Sequence, residues 1–106
     1  MMLYGPNPNL FQIMKIFGND MPYQIKFAEI VVKEQIPLIP KPYRQQIKKA
    51  IEERLVAEPV KFGKPLKHSL FGFRRLRVGD WRIIYRINGN DVEIVKIGNR
   101  KDIYEN

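Results

Sequence analysis

From Phe73 to Arg86 the chain reads FRRLRVGDWRIIYR, two alternating runs joined by Gly79-Asp80. A two-residue Gly-Asp connection between such runs is a hairpin signal. Pairing Val78 with Trp81 then sets Arg77 opposite Arg82, Leu76 opposite Ile83, Arg75 opposite Ile84, Arg74 opposite Tyr85 and Phe73 opposite Arg86. Side chains alternate along a strand. One face therefore carries Phe73, Arg75, Arg77, Arg82, Ile84 and Arg86. The other carries Arg74, Leu76, Val78, Trp81, Ile83 and Tyr85, a core-like set. Like charges in a cross-strand pair are destabilising, so an Arg77–Arg82 pair is tolerated more readily if the face awaits an anion.

Charge along the rest of the chain supports an anionic partner. The formal net charge is +8 over 106 residues. Residues 61–86 concentrate it: Lys61, Lys64, Lys67, Arg74, Arg75, Arg77, Arg82 and Arg86 stand against Asp80 alone, a balance of +7. Such a local field suits nucleic acid or another polyanion. The length allows one domain with a modest core. Without cysteine there is no disulfide, thiolate metal site or cysteine nucleophile, which suits the cytosol. His68 is the single histidine, so a histidine-based metal cluster is excluded. No apolar run approaches the roughly 18 residues of a membrane span.

Residues 1–20 differ from the remainder. Pro6, Asn7, Pro8 and Asn9 make a turn-rich start, and LFQIMKIF (10–17) is a short apolar run closed by Gly18-Asn19-Asp20. It lacks the leading basic region and cleavage site of a secretory signal. Either Met21 is the natural start and residues 1–20 an upstream extension, or those residues add a short element to the domain of 21–106. A first strand is expected over 22–27 and a helix over 28–36, stopped by Pro37. Tyr43, Ile47, Ile51 and Leu55 recur every four residues, which predicts an amphipathic helix over about 42–57 that begins near Pro42 and ends by Pro59. A basic loop over 60–70, with room for a short strand, leads to strands at about 71–78, 81–87 and 92–97. Asn88-Gly89-Asn90-Asp91 turns a second hairpin, which sets Arg86 opposite Glu93 and Ile87 opposite Val92. That register, run on without interruption, places Val95 and Ile97 on the arginine face and Lys96 on the other. The order of elements predicts an α+β fold: two N-terminal helices packed on one face of a mostly antiparallel, twisted sheet whose other face is open and carries the arginines.

The stretches GKPLKHSLFGFRRLRVGDWRIIYRI (63–87) and VEIVKIGNRKDIY (92–104), with this element order, resemble the RelE/ParE superfamily of bacterial toxins, and the RelE branch most closely. The resemblance covers roughly residues 22–104. It implies a RelE-like fold and a cytoplasmic toxin of a type II toxin–antitoxin system. It further implies a metal-free, cofactor-free endoribonuclease that enters the 70S ribosomal A site and cuts mRNA by attack of the 2′-hydroxyl on the adjacent phosphate. On the matching positions the implied catalytic residues are Arg75, Arg82, Arg100 and Tyr104. Lys64, Lys67, Arg77 and Arg86 are the implied RNA contacts. The implied partner is a cognate antitoxin with an acidic, amphipathic C-terminal segment. Phe73 stands where RelE has a further basic residue, and Arg75 where it has lysine. The sequence stops at Asn106, short of a terminal helix present in some relatives, and no histidine follows His68 to replace the tyrosine. The RLRVGDWRIIY core is common to both branches. A ParE-like, non-enzymatic inhibitor of DNA gyrase and an inactive antitoxin-binding module are the alternatives.

The implied chemistry needs a base for the 2′-hydroxyl, charge stabilisation at phosphorus and an acid for the leaving oxygen. An unperturbed tyrosine, at a pKa of about 10, is a weak base that adjacent cations improve. Arg75 and Arg82 suit the non-bridging oxygens as a charge-assisted fork. Arginine hardly releases a proton, so Arg100 suits electrostatic stabilisation of the leaving oxygen rather than its protonation.

Overall fold

In the computed structural model, residues 11–14 and 23–103 are described, with side chains over 23–101. Strands β1 (Phe11–Met14), β2 (Gln24–Ala28), β3 (Lys64–Pro65), β4 (Arg74–Val78), β5 (Trp81–Asn88) and β6 (Asp91–Asn99) form one sheet in the order β1-β2-β6-β5-β4-β3. All neighbours are antiparallel except β2 and β6, the pair linked through the helices. A parallel pair requires such a crossover connection.

Helical residues follow β2 directly. A π-helical turn over Val31–Gln35 tightens into a 3-10 turn over Ile36–Leu38, where Pro37 prevents continuation. Helix α1 (Lys41–Ala50) starts with Pro42 in its first turn and widens into a second π-helical turn over Ile51–Leu55. Most of its apolar stripe is seated as the four-residue spacing predicts, with Ile47, Ala50, Ile51 and Leu55 buried, whereas Tyr43 in the first turn is 46% exposed. They pack with Ile25, Phe27, Leu76, Val78, Ile83, Tyr85, Val92, Ile94 and Ile97 of the sheet in one core. The helical layer thus covers one sheet face, as expected for this α+β class. Lys48–Glu52 and Lys49–Glu53 pairs decorate the outer face of the helix.

The first hairpin has the expected register, from Val78↔Trp81 through Arg77↔Arg82 to Arg74↔Tyr85. Gly79 at its turn has φ +61°, a conformation glycine adopts without strain. In the second hairpin Ile87 pairs with Val92 and Arg86 with Glu93, also as expected.

Beyond that point the expected faces of β6 are corrected. A bulge shifts the register between Ile84 and Tyr85, so that Tyr85 faces Ile94 while Ile84 faces Lys96. Ile97 therefore falls opposite Ile83 and enters the core, whereas Lys96 joins the arginine face. The bulge keeps buried residues at both ends of β6 on the core side, which strict alternation could not do. β2 pairs with β6 only as far as Ile94, and the Ile97 N–H is instead received by Gln35 Oε1 at 2.8 Å.

Other departures are local. Part of the 60–70 loop is ordered as a short helix α2 (Pro59–Phe62) before β3. The strand expected from residue 71 starts at Arg74, because a turn holds Phe71 N–H on His68 O and Phe73 N–H on Leu70 O, each at 3.0 Å. Residues Arg100–Ile103 form a single helical turn, α3, where no terminal helix was expected. Phe11–Met14 of the apolar 10–17 run pairs along β2, while residues 1–10 and 15–22 lie outside the described residues.

Candidate nucleic-acid interface

Cross-strand partners share a sheet face. Register alone therefore lines up side chains on the face opposite the helices. One row runs Lys64, Arg75, Ile84, Lys96 across β3, β4, β5 and β6. At a spacing of about 4.8 Å per strand the row spans about 14 Å. The next row toward the hairpin tip runs Arg77, Arg82, Gly98, and α3 begins just beyond it. Between the cations lies a small apolar floor in which Ile84 and Val95 are buried under Leu66 and Phe73. The face expected to be open is thus partly roofed by the loop that carries Lys64 and Lys67.

The predicted site residues divide by environment. Lys64 and Lys67 are exposed, and Arg75 is half-buried. Arg77 is exposed and borders a groove with Gln46 and Lys49 of the second half of α1 and Glu53 and Arg54 of the π-helical turn that follows. Arg82 is only 5% exposed. Its Nη1 donates to the carbonyls of Gly79 at 2.8 Å and Trp81 at 3.0 Å, so its guanidinium is folded onto its own turn. Its buried Nε has no hydrogen-bond partner. Arg100 is exposed at the start of α3, where its N–H bonds Asp80 O at 2.8 Å, and it lines an open cleft with Asp80, Asn99 and Lys101. Arg86 is ion-paired through Nε to the buried Glu93 carboxylate at 2.6 Å, with Asn88 Nδ2 donating to the other oxygen at 3.3 Å. Tyr104 lies outside the described residues.

Arg82 and Arg100 therefore gather at the hairpin tip, Lys64, Arg75 and Lys96 across the middle of the sheet, and Arg86 at the far end against Glu93. Lys96 was missed because its placement depends on the bulge. The available signal was that uninterrupted alternation would have buried a lysine and exposed Ile97.

The remaining conspicuous residues serve the fold. Arg74 points to the core side and donates from Nη2 to the carbonyls of Val60 and Gly63, both at 2.6 Å. Burial raises the Tyr85 pKa above its ordinary value, a shift opposed by the nearby Arg74 guanidinium. Trp81 packs against the core and tilts at 44° to the Tyr43 ring, with centroids 5.9 Å apart. Among the described residues no three histidine or carboxylate groups gather as metal ligands, and no helix is long and apolar enough to cross a membrane.

Comparison with known proteins places this architecture. Residues 32–104 match the family model for the ParE toxin of the type II toxin–antitoxin system parDE. Toxin RelG of Mycobacterium tuberculosis is 33% identical over 86 residues, covering 79% of this chain and 98% of RelG. Toxin RelE of the same organism is 27% identical over 89 residues, covering 82% and 91% of the two chains. Among solved structures, a chain of the RelBE2 toxin–antitoxin complex of M. tuberculosis superposes with a TM-score of 0.69 at 27% identity, covering 74% of this chain and 99% of that one. The archaeal RelE–RelB complex of Pyrococcus horikoshii gives 0.60 at 29% identity, covering 77% and 99%. With the fold, the shared hairpin and these matches in agreement, the chain belongs to the RelE/ParE superfamily of type II toxin–antitoxin toxins.

Proposed function

We propose that this toxin is a ribosome-dependent mRNA endonuclease that works without a metal ion and is silenced by a cognate antitoxin. The observation that carries the reading is the row of Lys64, Arg75 and Lys96 around a small apolar floor, with Arg100 exposed at the neighbouring tip. These cations suit phosphates that need neutralising, and the half-buried Leu66 and Phe73 over the floor suit bases that need an apolar surface. In this reading Arg75 and Arg100 hold the phosphate oxygens, and Tyr104 accepts the 2′-hydroxyl proton. Arg82 braces the hairpin tip and adds its charge to the field. Lys64, Lys67 and Arg77 contact backbone phosphates, while Arg86 contributes less because Glu93 offsets it. The antitoxin supplies an acidic, amphipathic segment to the same cationic face. The relatives solved as complexes with RelB support a partner of that kind.

The alternative is a ParE-like inhibitor that binds DNA gyrase without chemistry, favoured by the ParE family-model match. Induced expression followed by mapping of mRNA 5′ ends separates the two. Cuts within translated codons, lost in Tyr104→Phe, are expected. Growth arrest with gyrase-dependent DNA breaks and intact mRNA would favour the alternative.

A further inference from the structure

The β6 bulge brings to the arginine face a side chain whose chemistry differs from that of its neighbours. Val95 and Lys96 both point away from the core, between the core residues Ile94 and Ile97. Lys96 lies opposite Ile84, and Ile84 lies opposite Arg75, so the lysine and the arginine flank the apolar floor about 10 Å apart at their Cα atoms. Lys96 is half-buried, and no ion pair involves it among the described residues. The acids nearest along its strand are engaged elsewhere: Glu93 holds Arg86 and Asp91 holds Lys26 at 2.8 Å.

Cleavage of an RNA strand by its own 2′-hydroxyl leaves an O5′ alkoxide that needs a proton. Guanidinium groups stabilise charge but do not give up protons, whereas an ammonium group does both. Three other lysines belong to or border this face, and none is placed as well: Lys67 is exposed on the loop above it. Lys26 is held by Asp91, and Lys64 is exposed on a two-residue edge strand.

We propose that Lys96 is the general acid of the cleavage reaction, an inference that rests on the endonuclease reading above. The 2′-oxygen bonds to phosphorus as its proton passes to the general base of that reading, which returns it to water. The P–O5′ bond breaks, and its electron pair takes a proton from Lys96 Nζ. The products are a 2′,3′-cyclic phosphate and a 5′-hydroxyl, and Lys96 regains its proton from water.

The test is single-turnover cleavage on programmed ribosomes by the parent, Lys96→Met and Lys96→Arg, each checked by thermal melting. Two substrates are compared: ordinary mRNA, and mRNA with sulfur in place of O5′ at the cleaved position, a leaving group that departs without protonation. Both variants should cut ordinary mRNA about 10²-fold more slowly or worse, and both should approach the parent rate on the sulfur substrate. Lys96→Arg at the parent rate on ordinary mRNA would reduce Lys96 to a charge and overturn the proposal. So would equal slowing on both substrates. A parent that cuts neither substrate would remove the endonuclease reading itself, and the acid role with it.

Discussion

The hydroxyl of Tyr85 occupies the space that a side chain on Gly63 would need. It donates to Pro59 O at 2.5 Å, and a Cβ built on Gly63 would overlap it and lie 2.6 Å from the ring carbon Cζ. Gly63 also offers its carbonyl to Arg74. One glycine thus lets α2, β4 and β5 lock together beneath the loop that carries the basic residues. Gly63→Ala should destabilise the protein by about 1–3 kcal/mol through overpacking. Gly63→Ala combined with Tyr85→Phe should cost less than the sum of the two single changes, because phenylalanine removes the hydroxyl, the atom that overlaps most, although the ring carbon Cζ still crowds the new methyl. Urea denaturation of the four proteins measures both.

The same tyrosine predicts a pH dependence. Burial raises its folded pKa above the value of about 10 expected in the unfolded chain. The folded state therefore prefers the neutral phenol. Its contribution is complete below the unfolded pKa and is lost as pH rises toward the folded one. Melting temperature should fall more steeply above pH 10 in the parent than in Tyr85→Phe, and parallel curves would show that Tyr85 carries no such linkage.

Arg82 tests how far a cross-strand pattern can be read as an energy. Its pairing with Arg77 suggests that removal relieves repulsion. Its burial and its two bonds to the turn carbonyls argue the reverse. Arg82→Ala should cost about 1–3 kcal/mol, whereas exposed Arg77→Ala should stay within about 0.5 kcal/mol. Melts of the two variants decide; equal, small shifts would mean that the bonds to Gly79 and Trp81 contribute little.

What was legible in the sequence follows from the range of the interactions involved. The hairpin register needed only Gly79-Asp80 and the flanking alternation, so every pair from Val78↔Trp81 to Arg74↔Tyr85 could be written in advance. The α1 stripe was legible for the same reason, as was Arg86 opposite Glu93. The β6 bulge was not, because it balances demands from β2, β5 and Gln35, a residue 62 positions from the amide it accepts. The folded-back Arg82 was equally hidden: residue type and face say nothing of which acceptor a guanidinium finds. Of the site, the cationic face was legible, but the division of labour within it was not.

Arg86 and Glu93 should respond asymmetrically. Glu93 is buried, and the Arg86 side chain retains 33% exposure. Arg86→Ala leaves a buried carboxylate held by the long Asn88 bond at its other oxygen, and should cost about 1–3 kcal/mol, less than for a fully buried pair because water reaches the arginine side. Glu93→Gln in the Arg86→Ala background should recover part of that loss. Guanidinium chloride denaturation is unsuitable for an ion pair, so urea is the measurement of choice.

Ribosome or RNA binding should weaken steeply with salt as phosphates are neutralised. Replacing Lys64 and Lys67 with alanine should lower the slope of log affinity against log salt by about 1.4 if both touch a single strand, at about 0.7 per contact. Filter binding across a salt series reads this directly, and an unchanged slope would remove both lysines from the interface.

The bulge in β6 acts as a parity switch. Before it, even-numbered residues such as Val92 and Ile94 face the helices; after it, the odd-numbered Ile97 does. Deleting one residue near Val95 would restore unbroken alternation and leave the sheet able to form, yet β6 would then present to the arginine face only one of the two side chains that Val95 and Lys96 place there. Relatives with one residue fewer at this point can therefore share the fold and most of the hairpin while presenting a different set of groups to their target, a difference that percentage identity does not register.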